Sequence, residues 1–275
     1  MNSFTIITPN LNMARFLPET IESVLINMVP GDQYFIIDGG SKDGSVEIIR
    51  HYESRLSGWV SEHDCGYADA IAKGFSRATG DYLCWINSGD IYLKGALNVA
   101  RRFLSNTEAD LIFGDDLYID EQSRVISHSW GSVRSLRRMM LFGGWTPLQD
   151  ACFWRRSLYD RVGGIDSTLK YAADYDFFLR ASLAGQCVYV PKIFSAFRRH
   201  EGQKSIYGST EYEAERQYCR RQSLRRQNVS GLNRVLLEPF YWVAVRWRCH
   251  VACKLRRSPV PVGILAQTMP TQPKL

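Results

Sequence analysis

Tyr34-Phe35-Ile36-Ile37-Asp38-Gly39-Gly40-Ser41-Lys42-Asp43-Gly44-Ser45 is an apolar, β-branched run that stops at an acid, passes through two glycines and enters a helix start. An apolar run of this length, bounded by such a turn, reads as a strand. Asp38 at its end can accept hydrogen bonds from a base or a ribose. The glycines let backbone approach closely, and Asp43 can cap the following helix. A purely structural turn is the competing reading.

The same grammar runs through the first half of the chain. Strands are predicted at Phe4 to Thr8, Tyr34 to Ile37, Gly58 to Val60, Tyr82 to Ile86 and Leu111 to Phe113. Helices are predicted between them at Arg15 to Asn27, Lys42 to Tyr52, Ala68 to Arg77 and Lys94 to Leu104. Strands alternating with amphipathic helices build βαβ units and a mainly parallel α/β sheet. Polar or acidic residues follow most of these strands, and open α/β sheets bind ligands at the carboxyl ends of their strands. Beyond residue 110 the pattern loosens into a basic helix near Val133 to Leu141, helices at Ser157 to Val162 and Tyr175 to Ala184, a strand at Cys187 to Val190, and a long basic helix from Tyr212 to Gln227.

With 275 residues and 45% hydrophobic content, the chain has room for one catalytic domain and a tail. The formal net charge of +6 is concentrated after residue 211. The seven cysteines are scattered and show no zinc-ligand spacing, which points to a reducing cytosol. The N-terminus shows no secretory signal and the chain has no apolar run of spanning length. The expectation is a cytoplasmic protein, soluble or peripheral at the inner face of the cytoplasmic membrane.

A dinucleotide fold would carry G-x-G-x-x-G after its first strand, where this chain has Pro9-Asn10-Leu11-Asn12-Met13-Ala14; a P-loop is also missing. A nucleotide must therefore be held by acids, aromatics and a cation. The third strand runs into Ser61-Glu62-His63-Asp64-Cys65-Gly66-Tyr67-Ala68-Asp69, and Asp69 and Lys73 are spaced i, i+4 on one helix face. A solvated helix start that favours acids is the bland reading. Thr79-Gly80-Asp81-Tyr82-Leu83-Cys84-Trp85-Ile86-Asn87-Ser88-Gly89-Asp90 again delivers an acid at a strand tip. A hard divalent cation needs such a carboxylate and would neutralise a departing diphosphate.

The ordered series Thr8-Pro9, Ile37-Asp38-Gly39-Gly40-Ser41-Lys42-Asp43-Gly44, Glu62-x-Asp64, Ala72-Lys73-Gly74, Thr79-Gly80-Asp81-Tyr82 and Asn87-Ser88-Gly89-Asp90 resembles glycosyltransferase family 2, over roughly residues 3–205. The resemblance implies a GT-A fold, a nucleotide-diphospho-sugar donor, a divalent cation (Mg2+ or Mn2+) and inversion at the anomeric carbon. It also implies a donor site of Thr8, Pro9, Asn10, Asp38, Asp64, Asp69, Lys73, Asn87 and Ser88, with Asp90 closing the metal motif. The family commonly has an Asp-x-Asp-Asp run; here Asn87-Ser88-Gly89-Asp90 keeps one carboxylate, a version resembling that of polysaccharide-building members.

The Gly143 to Pro147 loop would shape an acceptor cleft, and Leu148-Gln149-Asp150-Ala151-Cys152-Phe153-Trp154 resembles the family's acceptor-side strand, with Trp145, Gln149 and Asp150 as the expected acceptor contacts. Ala172-Ala173-Asp174-Tyr175-Asp176-Phe177-Phe178-Leu179-Arg180 resembles the segment that provides the general base, which places Asp174 in that role with Ala173 where the family often has Glu. An acceptor hydroxyl must lose its proton as it attacks, and a carboxylate within reach does this. Asp174 also reads as a helix N-cap. Phe197-Arg198-Arg199-His200-Glu201-Gly202-Gln203-Lys204-Ser205 resembles the family's closing basic loop, which assigns His200 and Lys204 to metal or diphosphate.

The expected organisation is residues 1–110 for donor binding, 111–210 for the acceptor and the base, a basic extension over 211–257 and a disordered end over 258–275. Leu232 to Arg257 interleaves apolar and basic residues, so it reads either as an interfacial helix on an anionic membrane or as a helix packed on protein. The function expected is transfer of a sugar to a hydroxyl of a glycan or lipid-linked acceptor in cell-surface polysaccharide synthesis. The alternative is a sugar-nucleotide-binding subunit without catalysis. No nucleic-acid module is recognisable, so nucleic acid is not an expected partner.

Overall fold

The computed structural model describes residues 2–129, 136–138, 140–141, 147–201 and 209–226. Trp145, Lys204, the expected 232–257 extension and the 258–275 end lie outside them.

The first half alternates β1 (Phe4–Asn10), α1 (Leu17–Leu25), β2 (Gln33–Asp38), α2 (Ser45–Tyr52), β3 (Gly58–Ser61), α3 (Tyr67–Phe75) and β4 (Tyr82–Trp85). Helical crossovers return each strand in the same direction, so β3, β2, β1 and β4 pair in parallel. The chain steps outward from β1 to β3 and then comes back to place β4 against the other side of β1. That reversal opens a crevice beyond the carboxyl ends of β1 and β4, where the topology favours a ligand. Gly74 lets α3 lie close on the sheet: a Cβ there would come within 2.5 Å of Ile7 Cγ2.

The second half adds β5 (Ile91–Tyr92), α4 (Ala96–Ser105), β6 (Leu111–Ile119), β7 (Val125–Ser129), the short helix α5 (Leu136–Arg138), β8 (Cys152–Arg155), α6 (Arg156–Val162), α7 (Ala173–Ala184), β9 (Cys187–Arg198) and α8 (Ser209–Arg226). The two halves share one sheet, ordered β3-β2-β1-β4-β8-β6-β9-β5 with β7 alongside β6, and β8 joins β4 to β6 in antiparallel fashion.

β6 and β9 run well beyond the predicted 111–113 and 187–190. Gly114-Asp115-Asp116 and Pro191-Lys192 look like turns in sequence, yet each lies inside a strand. The β6–β9 register jumps from Phe113↔Tyr189 to Asp115↔Ile193, so Pro191, which has no N–H to donate, falls in the irregularity. Of the helix predicted at 133–141, Leu136–Arg138 is helical and Val133 to Ser135 lie outside the described residues.

One aromatic cluster ties the halves together. Trp85 on β4 stacks on Phe178 of α7 (5.8 Å, 11°) and meets Trp154 of β8 edge-on (5.3 Å). Phe75 and Tyr159 close the cluster around Phe177. α7 is thereby fixed against the strand that ends in the Asn87–Asp90 loop. No helix among the described residues is long and apolar enough to cross a membrane.

Candidate functional site

The floor of the crevice is a clamp between the loops after β1 and β2. Asp38 has no exposed surface. Its Oδ1 accepts Asn10 Nδ2 (2.6 Å) and Ser41 Oγ (2.5 Å), and its Oδ2 accepts the N–H groups of Gly40 and Ser41 and Ser61 Oγ. Burial alone would raise its pKa, but the hydrogen bonds from Ser41, Ser61 and Asn10 outweigh burial and hold the carboxylate below its usual range. Asn12, in the left-handed region at φ 53°, accepts Lys42 N–H and donates its own N–H to Ser41 Oγ. Asp43 accepts the N–H groups of Ala14 and Ser45.

Thr8, Pro9 and Asn10 are all buried, and Thr8 Oγ1 lies 3.0 Å from Tyr34 OH. In this arrangement these residues shape the loops, and a ligand that contacts Asp38 must exchange with one of its protein donors.

The rim is more open. Asp64 is half-buried, accepts Gly66 N–H through Oδ1, and presses Oδ2 against Gly39, where a Cβ would come within 2.6 Å. Only glycine at position 39 tolerates that approach. Asp69 accepts Cys65 N–H and pairs with Lys73 (3.2 Å), which also reaches Glu62 (2.9 Å). The backbone bond from Cys65, and then Lys73, lower the Asp69 pKa.

The Asn87–Asp90 loop is pinned by two elements, α1 and β9. Thr20 Oγ1 accepts Gly89 N–H and donates to the Asp90 carbonyl. Arg198 donates its backbone N–H to Asp90 Oδ1 (2.9 Å) and its Nε to the Gly89 carbonyl (2.7 Å). The Arg198 guanidinium, 1% exposed, continues to Glu19, Ser123 and the Asp120 carbonyl. Asn87 Nδ2 approaches Asp90 Oδ2 at 3.4 Å, and Ser88 forms a bridge with Asp90. His200 lies at the same edge, its ring 5.6 Å from Phe16 and its Nδ1 2.8 Å from the Glu201 carbonyl.

Behind this loop are two carboxylates that sequence reading either missed or placed elsewhere. Asp116 on β6 (0% exposed) and Asp150 (1%) are buried side by side next to Ser195, whose hydroxyl favours the charged form of both. Burial and then the Asp150 charge raise the Asp90 pKa well above the carboxylate range. Burial and then the Asp150 and Asp90 charges do the same to Asp116, and burial pushes Asp150 up to about 6. Asp150, expected at the acceptor, is thus part of a buried acidic group. Its neighbour Gln149 donates Nε2 to the Trp85 carbonyl.

No group of three His, Cys, Asp or Glu side chains among the described residues is arranged to hold a metal ion. The buried, mutually repelling carboxylates favour a positive charge nearby. The residues therefore fit a cation shared with a phosphate ligand and do not fit one caged by protein alone.

Asp174, on the first turn of α7, is partly exposed, and burial pushes its pKa up to about 6. Tyr67, the first residue of α3, accepts Ala173 N–H and donates to the Tyr171 carbonyl, both at 2.9 Å. The base candidate is thus linked to the helix that follows the Asp64 loop. Tyr67 and Arg198 lie inside motif segments that give them no role of their own, and Glu19 and Asp116 lie in no motif. The signal available was local: two consecutive acids inside an apolar strand, and an arginine at the buried phase of β9.

A family model described as "Glycosyl transferase family 2" matches residues 5–163. A Mycobacterium tuberculosis "PGL/p-HBAD biosynthesis glycosyltransferase" is 29% identical over 182 residues, covering 64% of this chain and 68% of the relative. An uncharacterized glycosyltransferase of Rickettsia typhi is 25% identical over 226 residues, covering 76% and 69%. Among solved structures, S. aureus TarS 1-349 in complex with UDP-GlcNAc superimposes with a TM-score of 0.62 at 19% identity; the match takes in 73% of this chain and 60% of that one. A Pyrobaculum calidifontis mannosyltransferase in complex with GDP-Man and Mn2+ gives 0.60 at 14% identity, over 96% and 78%. The structural likenesses show the GT-A fold.

Proposed function

The chain belongs to glycosyl transferase family 2 and is a glycosyltransferase; on that premise we propose that it inverts the anomeric centre as it moves a sugar from a nucleotide-diphospho-sugar to a hydroxyl of a glycan or lipid-linked acceptor. The setting proposed is cell-surface polysaccharide synthesis at the inner face of the cytoplasmic membrane, with the basic residues of 232–257 meeting anionic lipid. The observation that carries the reading is Asp174: a carboxylate on the first turn of α7, with a pKa raised to about 6, held beside the donor half by Tyr67. A base needs a pKa near the operating pH, and burial supplies it here.

In the proposed step Asp174 takes the proton of the acceptor hydroxyl as its oxygen attacks the anomeric carbon. The bond to the diphosphate breaks on the opposite face, and its electron pair leaves with the diphosphate. Asp64 and, after exchange of a protein donor, Asp38 take the base and ribose, with Thr8, Pro9 and Asn10 as their floor. Asp69 orients Lys73, which together with Lys204 offers positive charge to the diphosphate, and His200 offers a ring nitrogen to the diphosphate or the cation. Asn87, Ser88 and Asp90 would hold a divalent cation, whose chemistry when bound would be to neutralise charge on the departing diphosphate. Gln149 and Trp145 would serve as acceptor contacts, with the buried Asp150 next to Gln149. The donors bound by the structural relatives, UDP-GlcNAc and GDP-Man, belong to the proposed donor class.

Donor hydrolysis across UDP-, GDP- and dTDP-sugars, with Mg2+, Mn2+ or EDTA, tests this. Cation-stimulated release of one nucleoside diphosphate is expected. Donor binding without release under any condition would favour the non-catalytic subunit, a reading to which the loss of motif carboxylates at Asn87 and Gly89 lends support. Absence of both binding and release would contradict either reading.

A further inference from the structure

α7 starts at Ala173, and its first N–H groups find acceptors close by: Tyr67 OH for Ala173, and Asp174 Oδ1 for Tyr175 at 2.7 Å. The turn that leads into the helix takes its acceptor from α8. Glu215 accepts Lys170 N–H through Oε1 at 3.0 Å, and the N–H groups of Tyr171 and Ala172 through Oε2 at 2.8 and 2.9 Å. Three consecutive backbone donors thus converge on one carboxylate, a charge-assisted arrangement at the positive end of a helix. Tyr67 grips the same turn from its other side, and the next residue after that grip is Asp174.

α8 is well seated for this task. Its Cys219 and Leu224 are buried against the core, and the Arg216 guanidinium lies 5.5 Å from the Tyr175 ring centroid on α7. The helix lies beyond the residues matched by the family model, which end at 163.

We infer that Glu215 is a positioning residue for sugar transfer: from α8 it binds the three N–H groups of the 170–172 turn that leads into α7, and so sets the Asp174 carboxylate against the attacking hydroxyl. The inference rests on the reading of Asp174 as the base. Misplacing a reacting group by an ångström costs on the order of 10²-fold in rate. A carboxylate that fixes this turn can therefore matter far more to turnover than to folding.

The full-length chain with Glu215→Ala, Glu215→Gln and, separately, Asp174→Asn is compared with the parent, using nucleoside diphosphate release from the best donor of the panel with water as acceptor. Glu215→Ala should lower kcat by about 10- to 100-fold with donor KM within about twofold, and Glu215→Gln, which keeps one acceptor oxygen, should recover part of the loss. Parent-like kcat in Glu215→Ala, or a parallel loss of donor affinity and melting temperature, would overturn the positioning role. If Glu215→Ala fails to fold, the near-isosteric Glu215→Gln decides: kcat reduced at unchanged KM supports the role, and parent-like kcat overturns it. Parent-like turnover in Asp174→Asn removes the base reading, and this inference with it. An inactive Asp174→Asn beside a fully active Glu215→Ala sinks this inference alone.

Discussion

At the residue scale, two carboxylates with opposite environments divide the work. Asp38 is held ionised by five protein donors, whereas Asp174 is pushed by burial toward its neutral form. The rate should therefore rise as pH increases through about 6, where Asp174 loses its proton, and level off above it; a kcat/KM profile with no acidic limb near that value would count against the assignment. The stability signs differ as well. Asp38 contributes stability above the usual carboxylate pKa, lost as pH falls through its lowered folded value. Asp116 has a raised folded pKa, so it costs stability as pH climbs above the unfolded value. Without added cation, Asp116→Asn should raise the melting temperature, and more at pH 8 than at pH 5; an equal or negative shift at both would refute the idea that burying this carboxyl costs stability as pH rises. The Asp69–Lys73 pair was legible from spacing because helix geometry fixes i, i+4 neighbours. The Arg198–Glu19 pair spans 179 positions, and no local pattern encodes it.

At the scale of elements, the parallel half was readable because apolar runs and helix-length stretches alternate there without interruption. The extents of β6 and β9 were not, since Gly114, two acids and Pro191 carry turn chemistry that only the cross-strand register absorbs. The link between α3 and α7 was equally invisible, because it rests on a single hydroxyl. Tyr67→Phe removes that hydroxyl while keeping the ring, and should lower kcat about tenfold with donor KM unchanged, on the scale of one misplaced catalytic contact. Unaltered kcat would show that the hydroxyl does not position the base. Gly74→Ala places a methyl against Ile7 and should cost about 1–3 kcal/mol in chemical denaturation; an unchanged midpoint would mean that α3 is free to shift away from β1.

At the scale of the whole molecule, the sheet reversal between β1 and β4 makes the crevice, and the aromatic cluster at Trp85, Trp154, Phe177 and Phe178 holds the base-bearing helix to it. Phe177→Ala should cost about 3–5 kcal/mol, read from urea unfolding, and loosen α7 along with the core. The α/β class and the strand-end location of the motifs were legible because both follow from periodicity. Asp150 shows where that legibility stops: a motif can locate a residue in the chain without revealing which way its side chain is buried. The most direct test of the account is Asp174→Asn assayed for nucleoside diphosphate release alongside calorimetric donor binding. A loss of about 10²- to 10⁴-fold in turnover with donor affinity preserved is the predicted result, and parent-like turnover would contradict the assignment of Asp174 as the base.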